Sequence, residues 1–199
     1  LDAQGTDPFE VARQAAAAIA DKTGATGLDI ALVLGSGWGE TADRVGQTLA
    51  TVDNTEIPGF AKAAVVGHSG TMRSVAIGDT GRRALVFGTR THYYEGRGVR
   101  AVVHAVRTAA AAGCRAIVLT NGCGGLRPEW APGTPVLISD HLNLTAASPL
   151  EGATFVDLTD LYSSRLRRLA CARRGCVCAV PRPAVRDARR GEDGWHPRR

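Results

Sequence analysis

No stretch of this 199-residue chain comes near the roughly 18 consecutive apolar side chains that span a bilayer, so no membrane-crossing helix is expected. The segment 2–21 has only Arg13 ahead of its apolar part, which does not resemble a secretory signal. Cysteines number five, an odd count without paired spacing, which argues against a disulfide scaffold and for free thiols in a reducing cytoplasm. Those at 171, 176 and 178 match no zinc-module spacing, and no metal site is expected. The chain has no internal repeat, and no linker before residue 166.

What is present is ordinary for a soluble globular domain: 44% apolar and 22% charged residues, in a length that suits one domain. The net charge of +5 would admit a nucleic-acid partner, but its distribution argues against one. Ten arginines against three acids give residues 166–199 a charge of +7, so everything before them is close to −2. The basicity belongs to the tail.

Asp7-Pro8-Phe9-Glu10 reads as a helix start, with an N-cap, proline at the first helical position and an acid in the first turn. The alanine-rich helix runs to Ala20 and ends before Gly24. Residues 29–34 form a short apolar run expected to be a buried strand. Strands are also expected over 72–77 and 84–87, separated by the turn 78–81, then over 116–120 as a buried strand and over 135–139. Helices are expected over 99–112, closing at Gly113, and from Asp157 to about Arg174. Alternating strands and helices predict a single α/β domain with a mixed, largely parallel central sheet flanked by helices.

Three polar loops follow strands, where open α/β sheets place ligands. Gly35-Ser36-Gly37-Trp38-Gly39 offers close backbone approach, amide groups and a hydroxyl, all suited to an anion. It is no dinucleotide fingerprint, because Glu40 stands where glycine is required, and it lacks the Gly-Lys-Ser/Thr ending of a P-loop. Arg90-Thr91-His92-Tyr93-Tyr94-Glu95-Gly96 brings a permanent cation with a forked donor set, an imidazole, a phenol and a carboxylate into one loop. Thr120-Asn121-Gly122-Cys123-Gly124-Gly125-Leu126 exposes backbone to a flat or anionic ligand. His104, within a helix, is expected to be structural.

Together these loops resemble those of the trimeric purine nucleoside phosphorylases, which carry a Gly-Ser-Gly loop, an Arg-x-His-x-Tyr-Glu-Gly segment and an Asn-x-x-Gly-Gly-Leu segment in this order. Val66-Gly67-His68-Ser69-Gly70 and Ser139-Asp140-His141-Leu142-Asn143 extend the likeness, which covers about Ile30 to Arg165. One departure is Thr89, which stands between Gly88 and Arg90 where the family has glycine directly before arginine.

The resemblance implies a phosphorylase/hydrolase-like fold and phosphorolysis of 6-oxopurine ribonucleosides and deoxyribonucleosides to free base and sugar 1-phosphate, a purine-salvage reaction. It also implies a cytoplasmic homotrimer that uses phosphate as co-substrate, with no metal or organic cofactor and no nucleic-acid or membrane partner. By the same resemblance Ser36, His68, Arg90, His92 and the backbone of Gly122 hold phosphate, Arg90 and His92 being catalytic. Tyr94, Asn121 and Gly124 contact the nucleoside, and Phe155 covers the sugar from a neighbouring subunit. Glu95 reads as a structural acceptor that orients its loop; the role of His141 is not legible. Methylthioadenosine phosphorylase is the alternative reading, and a catalytically impaired phosphate-binding fragment another.

The phosphorylase domain is accordingly expected over 1–165. Over 166–199 the bias toward Arg, Ala, Pro, Gly and Cys is what a shifted reading frame in a GC-rich gene produces, and the family's purine-gripping glutamate and asparagine have no counterpart there.

Overall fold

The Asp7 carboxylate accepts a hydrogen bond from the Phe9 amide at 2.9 Å, and Pro8 opens the helix that this cap predicts, α1 (Pro8–Thr23). Gly24 closes it in the left-handed region at φ +63°. The computed structural model describes residues 6–25, 27–35, 38, 41–61 and 70–174, in two compact units, Leu1–Gly124 and Gly125–Arg199.

The first unit holds a five-stranded sheet. Its strands are β1 (Ile30–Val33), β2 (Gln47–Asp53), β3 (Thr71–Ile77), β4 (Arg82–Phe87) and β5 (Ala116–Leu119), in the order β2-β3-β4-β1-β5. β1 pairs in parallel with β4 and with β5, while β3 runs antiparallel to β2 and β4, so the sheet is mixed. The short α2 (Thr41–Val45) precedes β2, and α3 (Gly98–Ala111) precedes β5.

Both faces of the sheet centre are covered, so its strands are apolar at successive positions rather than at alternate ones. On one face Ala31, Val33, Leu85, Phe87 and Met72 pack with Ala15 and Ile19 of α1 and Ala105 and Ala109 of α3. On the other, Val75, Ala84 and Val86 pack with Leu34 and with Ala42 of α2. At about 25 cal/mol per Å² of apolar surface, burying a side chain such as Phe87 or Leu85 is worth about 1.5–3 kcal/mol. That burial holds β4 between its neighbours.

Four sequence expectations need correction. β5 is a half-exposed edge strand, with Val118 and Leu119 exposed, because it ends the sheet order and pairs on one side only. Residues 135–139 form no strand: a single bridge at residue 136 is all the pairing there, and Pro135 brings no N–H to a ladder. The helix expected from Asp157, α4 (Ser164–Arg174), starts seven residues later than expected. Asp157 accepts from the Thr159 amide and hydroxyl, and Asp160 from the Ser164 amide, so these side chains bind backbone groups that a longer helix would use. Cys114 and Cys123 are free thiols as expected, whereas Cys171 is disulfide-bonded. No helix among the described residues is long and apolar enough to cross a membrane.

His104 is structural, as its place in a helix suggested. Its Nε2 lies 2.9 Å from the Pro58 carbonyl, and its ring packs against Phe60 at 4.5 Å between centroids. It fills the space beside Gly59, whose φ of +77° suits only glycine. Burial pushes the imidazolium pKa below its ordinary 6.5; the bond to Pro58 opposes this and the Arg107 charge adds to it. A depressed folded-state pKa means that the unfolded chain takes up the proton first. The contribution of His104 is therefore present above pH 6.5 and declines as the pH falls below it. Melting temperature measured from pH 7 down to pH 5 should fall more steeply for the native chain than for His104→Gln. Parallel curves would show that this histidine carries no such linkage.

Candidate active site

The pairing of β1 with both neighbours sets the site. Val33 stands opposite Phe87 of β4 and Leu119 of β5, so the three parallel strands end level with one another. Two further bonds extend this register: the Leu34 amide donates to Phe87 O at 2.9 Å, and the Thr120 amide to Val33 O at 3.0 Å. The loops that open at Gly35, Gly88 and Thr120 consequently leave the same edge of the sheet, side by side. This is the carboxyl edge, where strand ends in an open α/β sheet leave a crevice.

At that edge Arg90, Thr120 and Gly35 meet. Arg90 Nη1 donates to Thr120 O at 2.6 Å. The Thr120 hydroxyl accepts from the Gly35 amide at 3.1 Å and donates to Val33 O at 3.0 Å. The guanidinium lies so close over Gly35 that a Cβ there would stand 3.1 Å from Arg90 Cζ and nearer still to Nη1. Thr89 is held as well, its hydroxyl accepting from Asn54 Nδ2 at 3.2 Å. The extra residue before Arg90 thus ties this loop to the segment that follows β2.

Three residues beyond Arg90 the chain makes a short 3-10 turn, Tyr93–Glu95. The Glu95 carboxylate accepts from the His92 amide at 2.7 Å and lies 3.4 Å from Arg97 Nε, while Gly96 leaves the turn at φ +72°. The His92 and Tyr94 rings stack, nearly parallel, at 4.7 Å between centroids. Tyr94 is 81% exposed, and the Asn121, Gly122 and Gly124 backbone beyond β5 is exposed too. Ser36 and His68 lie outside the described residues. Phe155 belongs to the second unit, where its side chain is 97% exposed. In the same unit the Tyr162 hydroxyl lies 2.9 Å from His141 Nδ1.

The sequence match to the Phosphorylase superfamily runs over residues 29–190. The chain belongs to that superfamily. Its relatives there include the purine nucleoside phosphorylase of Cellulomonas sp, 62% identical over 173 residues, a match covering 85% of this chain and 61% of that one. The purine nucleoside phosphorylase of Mycobacterium tuberculosis is 54% identical over 164 residues, covering 82% and 60%. Among solved structures, the Schistosoma mansoni purine nucleoside phosphorylase in complex with acetate matches with a TM-score of 0.70 at 30% identity, over 82% of this chain and 62% of that one. Isoform 2 of the enzyme from that organism, in complex with cytosine and ribose-1-phosphate, gives 0.71 at 28% identity, over 83% and 62%. The chain spans about three fifths of the length of the curated relatives it matches.

The geometry of this phosphorylase-superfamily chain adds residues that the loop motifs alone did not single out. Thr120 and Asn54 each hold part of the Arg90 loop, Thr120 by its main-chain carbonyl, which accepts from Arg90, and Asn54 by its side-chain amide, which donates to Thr89. For Thr120 the available signal was a hydroxyl directly after the apolar run AIVL; for Asn54, 36 residues before Arg90, there was none.

Glu95 acts within its loop as a structural acceptor. A hydrogen bond to a charged group is worth roughly 1.5–3 kcal/mol net. Glu95→Ala should therefore speed hydrogen exchange at the His92 amide by about tenfold or more, and Glu95→Gln, which keeps an acceptor, by less. Unchanged exchange in Glu95→Ala would mean that the turn is held by something else.

Proposed function

We propose that this chain binds phosphate at the carboxyl edge of β4, β1 and β5, and supplies the phosphate and ribose side of a purine nucleoside phosphorylase. The observation that carries this reading is the guanidinium of Arg90 lying over Gly35, just past β1, and bonded to the Thr120 carbonyl, just past β5. A guanidinium has five N–H donors in a rigid fork. Anchoring through Nη1 to Thr120 O is compatible with the rest of the fork meeting an oxyanion in bidentate fashion.

Phosphorolysis requires an anion beneath a sugar whose C1′ becomes oxocarbenium-like as the bond to the base breaks. Phosphate oxygen then bonds to that carbon, and the base leaves with the bonding pair and takes up a proton. Catalysis of this kind rests on positioning and on electrostatics. In the reading proposed here Arg90, Ser36, His68, His92 and the Gly122 amide hold the phosphate. Tyr94, Asn121 and Gly124 face the nucleoside, and Phe155 closes the sugar site of a neighbouring subunit in a homotrimer. Phosphate is the co-substrate, no metal or organic cofactor takes part, and the setting is the cytoplasm. The substrates are 6-oxopurine ribonucleosides and deoxyribonucleosides; relatives that carry the purine nucleoside phosphorylase name support purine nucleosides as the class. A faster release of base from methylthioadenosine than from inosine would favour the alternative substrate.

The base-binding groups are not supplied by residues 166–199. Restoring an unbiased reading frame after Arg165 should raise inosine turnover by roughly 100-fold or more, the scale of one preorganised donor. Equal turnover in the two chains would contradict this.

The phosphate site itself is tested without turnover. Arg90→Ala should weaken inorganic phosphate binding, measured by calorimetry, by at least about tenfold, since each charge-assisted bond lost is worth roughly 1.5–3 kcal/mol. Undiminished affinity would remove the site from this edge of the sheet.

A further inference from the structure

We infer that Thr120 is the positioning residue of the phosphate site, joining the β1 loop to the Arg90 loop so that both address one anion. The inference rests on the proposed phosphate site and adds to it a residue that touches no substrate. Thr120 is the first residue past β5, and its amide continues the strand register by donating to Val33 O. Its hydroxyl is used twice, accepting from the Gly35 amide and donating to the same Val33 carbonyl. Its own carbonyl takes the Arg90 guanidinium at 2.6 Å. One residue therefore fixes the first amide of the β1 loop and the cation of the β4 loop.

The floor under that cation is Gly35. Any side chain there would occupy the place of the guanidinium. The atoms it would meet are the far end of a flexible side chain, so the fold can yield while the cation cannot stay. The hydroxyl of Thr120 holds Gly35 in place, and the absence of a Cβ at Gly35 lets the Arg90 guanidinium come close to it. Each arrangement depends on the other. Arginine has many rotamers, and an anion site gains affinity when the one it needs is set beforehand.

Two kinds of substitution separate this role from general support of the fold. Thr120→Val keeps the branched shape and removes the hydroxyl, while Thr120→Ser keeps the hydroxyl. Inorganic phosphate affinity, measured by calorimetry, should fall about tenfold in Thr120→Val and stay within about twofold of native in Thr120→Ser. Gly35→Ala should lower phosphate affinity toward that of Arg90→Ala while retaining most of the melting temperature. In the Arg90→Ala background, Gly35→Ala and Thr120→Val should have little further effect, because groups that act through one partner are not additive.

Native affinity in both Thr120→Val and Gly35→Ala, with Arg90→Ala impaired, would overturn the positioning role and leave the phosphate site standing. Native affinity in Arg90→Ala would overturn the site reading itself. If Thr120→Val does not fold, Gly35→Ala decides: impaired phosphate binding that vanishes as an effect in the Arg90→Ala background supports the inference, and native binding overturns it.

Discussion

The parallel pairing of β1 with β4 on one side and β5 on the other is the constraint from which the site follows. A parallel pair cannot be closed by a tight turn, so the chain leaves each strand at the same edge and returns by a long connection. With Val33 level with both Phe87 and Leu119, Gly35, Arg90 and Thr120 come within hydrogen-bonding reach, although they are separated by up to 85 residues. The apolar faces supplied by α1, α3 and α2 hold the strands in that register. Polar groups at their ends are thereby placed by hydrophobic burial, which is non-directional, and then aimed by hydrogen bonds, which are directional.

The same division explains the way in which the 54–60 segment serves the site from outside it. Asn54 reaches Thr89, the residue next to Arg90, and the Pro58 carbonyl is held by a buried histidine of α3. The Arg90 loop is thus fastened through Thr89 and Arg90 at its start and through Glu95 further along. The exposed aromatic hydroxyl of Tyr94 is carried on a turn whose backbone is fixed.

Much of this was legible in the residues. The Asp7-Pro8 start, the apolar runs of β1, β4 and β5, and the turn between β3 and β4 have local causes, and the structure has them where the sequence put them. β2 carries a weaker signal, an edge strand in which only Val52 is buried and which no apolar run marks. β5 looked like a buried strand because AIVL is apolar; its exposure follows from its place at the end of the sheet, which composition does not encode. Of the site, the loop motifs pointed to Arg90 and to the glycine-rich segments. The contact of Arg90 with Thr120 and Gly35 depends on strand order, and only the fold supplies that.

The central claim is that three loops, far apart in sequence, address one anion. Its most direct test is a titration of the isotopically labelled full chain with inorganic phosphate, followed by amide chemical shifts. The account predicts that the amides of Gly35, Arg90 and Gly122 shift together along one binding isotherm, while those of β2 and the amino-terminal half of α1 stay still. Shifts confined to one loop, or separate isotherms for the three, would contradict it.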